Sequence, residues 1–86
     1  MTRALAVELA PDITINSILL GFFDSPLVRQ VFTPAQIADA QRGIPAARLG
    51  QFAEVSAMVQ YLASDAAGFI TGQSLSLDGG QIIRMP

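Results

Sequence analysis

Eight consecutive residues, Ile13-Thr14-Ile15-Asn16-Ser17-Ile18-Leu19-Leu20, set the tightest limit on what this chain can fold into. The run is rich in β-branched side chains and apolar at odd and even positions alike. A strand with one wet face alternates, so apolar residues on both faces predict a strand enclosed between two layers, the habit of a parallel sheet. Ahead of it, Met1 to Ala10 reads as a helix, with Leu5 and Leu9 four apart and Glu8 outward. Met1 already falls on the helical run, so this helix is expected to lack an N-terminal side-chain cap. Pro11-Asp12 stops it, since proline lacks the N–H and collides with the preceding turn.

Gly21 ends the strand, and two helix starts follow. Ser25-Pro26 offers a cap with proline at the first helical position. Thr33-Pro34-Ala35-Gln36 is a capping box. Short helices are predicted over 26–31 and 34–41, then a loop over 43–50. From Phe52 to Ala63, the residues Phe52, Val55, Val59 and Leu62 repeat as a helical stripe and are expected in the core. Ala57, Met58 and Tyr61 widen the apolar arc, with Met58 and Tyr61 the better candidates for a subunit interface. Asp65 to Gly72 is a glycine-punctuated turn, Ser74-Leu75-Ser76-Leu77 alternates as a strand, Asp78-Gly79-Gly80 closes it, and 82–86 reads as a tail. Two strands joined through helices imply a parallel, right-handed crossover unit.

Composition removes several function classes. The chain has 86 residues, 51% of them hydrophobic and 14% charged, a net charge of −2, and no cysteine, histidine or tryptophan; its five basic residues are all arginine. So apolar a chain is not intrinsically disordered. It offers no thiolate or imidazole for a metal and no Ser–His or Cys–His nucleophile pair. Five scattered arginines make no basic stripe, so nucleic acid is not an expected partner. No run of about 18 uncharged apolar residues exists to cross a membrane, and Glu8 interrupts the apolar start. A cytoplasmic protein is expected, in keeping with the absence of cysteine. One domain at most fits this length. A chain so short buries only roughly 60–65% of its unfolded surface, yet half of these residues favour burial. They form either a small α/β core or one side of something larger.

Several words of the sequence, in order and at matching spacing, resemble the short-chain dehydrogenases/reductases, NAD(P)-dependent enzymes on a Rossmann-type fold. They are Leu5-Ala6-Val7-Glu8-Leu9-Ala10-Pro11, Ile15-Asn16-Ser17-Ile18, Gly21-Phe22-Phe23-Asp24-Ser25-Pro26-Leu27, Ile44-Pro45 with Arg48-Leu49-Gly50, Tyr61-Leu62-Ala63-Ser64-Asp65, Phe69-Ile70-Thr71-Gly72-Gln73, and Leu77-Asp78-Gly79-Gly80. The resemblance spans nearly the whole chain and implies the last third of a family member. The implied fold is the C-terminal portion of a doubly wound parallel α/β sheet, incomplete as a domain: helix, strand, short lid helices, long helix, strand. Residues 1–86 would then be a single partial domain with its lid at 26–50.

The resemblance also implies what each part does. The family's glycine-rich pyrophosphate turn and its catalytic Tyr-x-x-x-Lys find no match here. Tyr61 is followed four residues on by Asp65, and no lysine exists to lower a phenol that otherwise titrates near pH 10. No catalytic residue is therefore assigned. The family segment Pro-Gly-x-x-x-Thr, which holds the nicotinamide carboxamide, matches Leu20-Gly21-Phe22-Phe23-Asp24-Ser25. The implied cofactor-binding residues are Gly21, for close approach of the chain; Phe23, through its backbone; and Ser25, through its hydroxyl. Ser25 reads as well as a plain helix cap, and Gly21 as a strand terminator. Departures from the family pattern are Leu20 and Phe52 in place of prolines, the missing glycine at Asp12-Ile13, and serine for threonine at 25.

The implied chemistry is hydride transfer between NAD or NADP and a carbonyl or alcohol, with the 86 residues inactive alone. The alternative is a non-catalytic interaction module. It would dock on intact family subunits, or on further copies of itself, through 52–63 and 74–80.

Overall fold

The computed structural model of the chain describes residues 1–84. Helix α1 spans Thr2–Leu9, strand β1 Ser17–Leu20, helix α2 Pro26–Val31, helix α3 Pro34–Arg42, helix α4 Phe52–Leu62, strand β2 Ser74–Leu77 and helix α5 Gln81–Arg84, with a 3-10 turn at Asp65–Ala67 before β2. The two strands are parallel, with Ser17 beside Ser74 and Leu20 beside Leu77. Two parallel strands joined through helices are as predicted. This arrangement also carries the carboxyl ends of both strands to one place.

Helix boundaries follow local chemistry. The Ser25 hydroxyl accepts from the Val28 N–H at 3.1 Å, and Pro26 opens α2. Thr33 and Gln36 cap each other's backbone at 3.1 and 2.9 Å. Helix α1 has no side-chain cap, and its last carbonyls end at Ala10 in extended geometry, without a left-handed residue. The glycine missing at Asp12-Ile13 is thus not replaced by another residue in that conformation.

Four expectations need correction. The strand read over 13–20 pairs only from Ser17. Before that point the chain is tied to 70–73 by one backbone bond, from the Gly72 N–H to the Ile15 carbonyl at 2.7 Å, and by side chains: Ile15 N–H donates to Thr71 Oγ1, Asn16 Nδ2 donates to the Ile70 carbonyl, and Asn16 Oδ1 accepts from the Gln73 N–H. Gly72, at φ +73°, is outside strand geometry, so the regular ladder does not extend through it. The stripe Phe52-Val55-Val59-Leu62 is not core: no residue of α4 is buried, and Phe52 and Val59 are half exposed. Leu19 and Leu20 are likewise half exposed, so β1 is not enclosed between two layers. Two strands are too narrow to cover a helix on one face or to receive one on each. Finally, 81–84 form a short helix where a tail was read; Met85 and Pro86, the rest of that tail, lie outside the described residues.

The buried cluster lies elsewhere. Ile37, Ile44 and Leu49 pack together with Phe22 and Val28 against them. The whole is open: the accessible surface is 6279 Å², where a compact chain of this mass exposes about 4,900 Å². The radius of gyration is 15.7 Å against roughly 12 Å for a compact domain of this length.

Candidate functional site

Open α/β sheets bind ligands beyond the carboxyl ends of their strands. Here those ends are Leu20 and Leu77, joined by the Gly21 N–H donating to the Leu77 carbonyl at 3.1 Å. A side chain on Gly21 would meet Asp78 Cβ at 2.6 Å and its Cα at 2.9 Å. Gly21 thus permits a close approach, as expected of it, but the neighbour in this chain is Asp78. Asp78 itself is spent on the backbone: its two carboxylate oxygens accept from Gly80 and Ile82 N–H groups at 3.0 Å each and start α5.

Beyond Gly21 the chain makes one further parallel bridge, Phe23 with Gly50. Asp24 N–H donates to the Gly50 carbonyl at 2.8 Å, and Gly50 N–H donates to the Phe22 carbonyl at 3.0 Å. In a parallel bridge these bonds use both groups of one residue and the neighbours of the other. The N–H and C=O of Phe23 therefore point away from Gly50, and among the described residues neither has a hydrogen-bond partner. The Phe23 ring is buried over Gly50 and packs on Phe52, centroids 5.7 Å apart. Two residues on, Ser25 uses its oxygen to cap α2, which leaves its O–H proton free to donate. Gly21, Phe23 and Ser25 are thus brought along one turn past the strand ends.

Two open clefts flank this turn. One, of about 180 Å³, lies between Phe23, Arg48, Glu54, Leu77 and Gly79. The other, of about 480 Å³, lies between Leu20, Phe22, Val28, Phe32 and Gln81 and is mainly apolar. The Phe22 and Phe32 rings meet there tilted at 59°, centroids 5.7 Å apart.

The charges around the site are paired. Arg29 grips Asp24 with two bonds of 2.8 and 2.9 Å, and this holds the Asp24 carboxyl below its ordinary value. Arg48 grips Glu54 at 2.7 and 3.0 Å while also donating to the Leu49 carbonyl. Those bonds, with the Gln51 N–H donating to the same carboxylate at 3.0 Å, bring Glu54 down to about 2. Both arginines are raised in turn by their carboxylate partners. Locked in this way, the four groups hold the turn in place and are not set to pass protons near neutral pH. Tyr61 stands half exposed on α4. No set of residues able to hold a metal ion occurs among the described residues, and no helix among them is long and apolar enough to cross a membrane.

Neither ion pair was read from the sequence. Each had a signal: an acid and an arginine five apart around the Ser25-Pro26 helix start, and a glutamate three residues after Gln51, just inside a helix. The Phe23–Gly50 bridge had none, because it joins residues far apart in sequence.

The family model for enoyl-(acyl carrier protein) reductases matches residues 1–81. The acetoacetyl-CoA reductase of Rhizobium meliloti is 44% identical over 84 residues, covering 94% of this chain and 34% of that protein. A 3-oxoacyl-[acyl-carrier-protein] reductase of Pseudomonas aeruginosa is 41% identical over 81 residues, covering 92% and 32%. Among solved structures, the ligand-free aldohexose dehydrogenase of Thermoplasma acidophilum superposes with a TM-score of 0.87 at 35% identity, over 99% of this chain and 37% of that one. A short-chain dehydrogenase/reductase of Brucella melitensis gives 0.83 at 32% identity, over 94% and 33%. The chain spans about a third of the length of the relatives it matches, and its helices and parallel strands are a portion of a Rossmann-type sheet. It belongs to the short-chain dehydrogenase/reductase family.

Proposed function

We propose that this chain carries the nicotinamide-holding turn and the substrate lid of an NAD(P)-dependent oxidoreductase acting on a carbonyl or alcohol. One observation carries the reading: the N–H and C=O of Phe23, both without a protein partner, stand past the carboxyl ends of the strands. A carboxamide needs one acceptor and one donor side by side, and these two groups fit that need. Gly21 sets the turn against β2, and the Ser25 hydroxyl adds a donor beside it. NAD or NADP, when bound, supplies the hydride that is exchanged with the substrate. The chain's own residues orient the ring and screen it, with the segment 26–50 as lid. The apolar cleft between Phe22, Val28 and Phe32 suits the carbon chain of a substrate.

The 86 residues alone are inactive in this reading, because the family's catalytic Tyr-x-x-x-Lys finds no match in them and no lysine is present. Titrating the purified chain with NADH or NADPH while following backbone amide resonances tests the turn. The shifts are expected at Phe23, Asp24 and Ser25. Shifts confined to other elements, or none at millimolar cofactor, overturn the assignment. Oxidation of either cofactor by the chain alone, with an acetoacetyl thioester as substrate, overturns the inactivity.

A second reading is favoured by the surface. Phe52, Val59 and Tyr61 are half exposed on one helix, and the chain exposes about 1,400 Å² more than a compact protein of its mass. A standard interface buries about 800 Å² on each partner. In this reading 52–63 and 74–80 dock on intact family subunits or on a second copy. Size-exclusion of the chain with and without a family reductase separates the outcomes: a defined complex supports docking, and a monomer under both conditions sinks it.

A further inference from the structure

The peptide units on either side of Gly50 are each held at both ends. A trans peptide is planar, with its C=O and N–H pointing opposite ways. In the Leu49–Gly50 unit the carbonyl accepts from the Arg48 guanidinium at 3.1 Å, and the N–H donates to the Phe22 carbonyl at 3.0 Å. In the Gly50–Gln51 unit the N–H donates to the Glu54 carboxylate at 3.0 Å, and the carbonyl accepts from the Asp24 N–H at 2.8 Å.

The inner bonds land on the two peptide units that flank Phe23. The Phe22 carbonyl shares its plane with the Phe23 N–H, and the Asp24 N–H shares its plane with the Phe23 carbonyl. Two series of hydrogen bonds therefore cross the bridge side by side. One leads from the Arg48 cation to the Phe23 N–H, the other from the Glu54 anion to the Phe23 C=O.

The signs agree. A cation at a carbonyl draws electron density through the amide and makes its N–H a stronger donor, and the next unit responds in the same sense. An anion accepting from an N–H makes that unit's carbonyl a stronger acceptor, and so onward. Bonds in series strengthen one another by about 10–30% each. Through space the same pair would count for little, since the Arg48 and Glu54 side chains are 56% and 38% exposed. Both groups are charged at neutral pH, Glu54 being lowered to about 2. The chain also bears strain to place Arg48: Ala47 just before it stands at φ +61°. Alanine keeps that left-handed conformation only where its neighbours are held, here Ala46 by the Gly79 carbonyl and Arg48 by Glu54.

We infer that Arg48 and Glu54 are positioning residues for Phe23, fixing and polarising its N–H as a donor and its C=O as an acceptor through the two peptide units around Gly50. That these groups meet a carboxamide rests on the nicotinamide reading above; the two relays do not.

Amide and carbonyl resonances of the purified chain, without cofactor, test the relays. In Arg48→Gln the Gly50 amide proton moves upfield and the Phe23 amide follows by a smaller step, while Asp24 moves less than either. In Glu54→Gln the Asp24 amide proton moves upfield and the Phe23 carbonyl carbon follows, while Gly50 moves less. Arg48→Lys, which keeps the charge, gives a smaller Gly50 shift of the same sign and stands in if Arg48→Gln unfolds the chain. Arg42→Gln, which breaks the Arg42–Asp39 pair on α3, leaves all these resonances in place. Equal movement of Gly50 and Asp24 in both variants would mark a turn merely loosened, and no movement in either would mean that the pair does not reach Phe23; each overturns the inference. With NADH added, both variants bind about twofold more weakly than the native chain, and unchanged affinity overturns it as well. If the native chain shows no cofactor shift at Phe23, the nicotinamide reading fails, while the cofactor-free shifts still decide the relays.

Discussion

At Gly50 the backbone is crowded from one side: a Cβ there would come within 2.6 to 2.8 Å of three atoms of the Phe23 ring. Gly50→Ala must push that ring off Phe52 and distort the bridge that leaves the Phe23 amide and carbonyl free. Overpacking of this kind costs about 1–3 kcal/mol, and the expected result is a lower urea midpoint with weakened shifts at Phe23 on cofactor titration. An unchanged midpoint would mean that the ring has another place to go. Glu54 carries a different signature. Its carboxyl is lowered from 4.5 to about 2, chiefly by the Arg48 hydrogen bonds. A folded value below the unfolded one stabilises the fold above the unfolded value, and that contribution is lost as pH falls through the folded one. Stability contributed by Glu54 is therefore complete above about pH 4.5 and fades toward about pH 2, with Asp24 acting in the same sense. Both pairs are solvent-exposed, so salt weakens them. Urea midpoints over this pH range should fall less in Glu54→Gln than in the native chain; parallel slopes would show that the pair contributes nothing.

Elements whose ends are fixed by neighbours in sequence were legible from the residues alone. Ser25-Pro26 and Thr33-Pro34-Ala35-Gln36 placed the starts of α2 and α3 at the residues where the structure has them, because a cap needs only an oxygen a few residues from the amide it serves. Thr33→Ala should cost about 0.5–2 kcal/mol and Thr33→Ser much less, measured as shifts of the urea midpoint; equal losses would place the cap elsewhere. Burial was not legible in this way. The apolar positions of α4 and of β1 state what each surface prefers, while what covers them depends on sheet width, and two strands leave both exposed. The start of β1 was misplaced for a related reason. Ile13 and Ile15 have strand composition, but the Ile13 N–H turns back to the Leu9 carbonyl, and Ile15 meets the segment turning at Gly72 through the Thr71 hydroxyl and the Gly72 amide. At the candidate site, Gly21, Phe23 and Ser25 were found through the family's words. What holds that turn, Gly50 and the two ion pairs, emerged only from the fold.

Across the whole molecule, the exposed area sets how denaturation should look. An unfolded chain of 9.1 kDa exposes about 13,200 Å², so folding to 6279 Å² hides only about four-fifths of what a compact chain of this mass would. Because the denaturant slope scales with area exposed on unfolding, the monomer's m-value should be about four-fifths of that for a compact domain of equal length. If the α4 face is an interface, association hides further area and couples stability to concentration. Both midpoint and slope should then rise as the chain is concentrated, or when an intact family reductase is added. Val59→Glu, placing a charge in the middle of that face, should hold both at their dilute values without disturbing the buried cluster around Ile37. Urea curves at a series of concentrations, paired with sedimentation, make the measurement. A midpoint of the native chain that responds neither to its own concentration nor to added reductase would mean that α4 keeps its apolar side in water and that the docking reading is wrong.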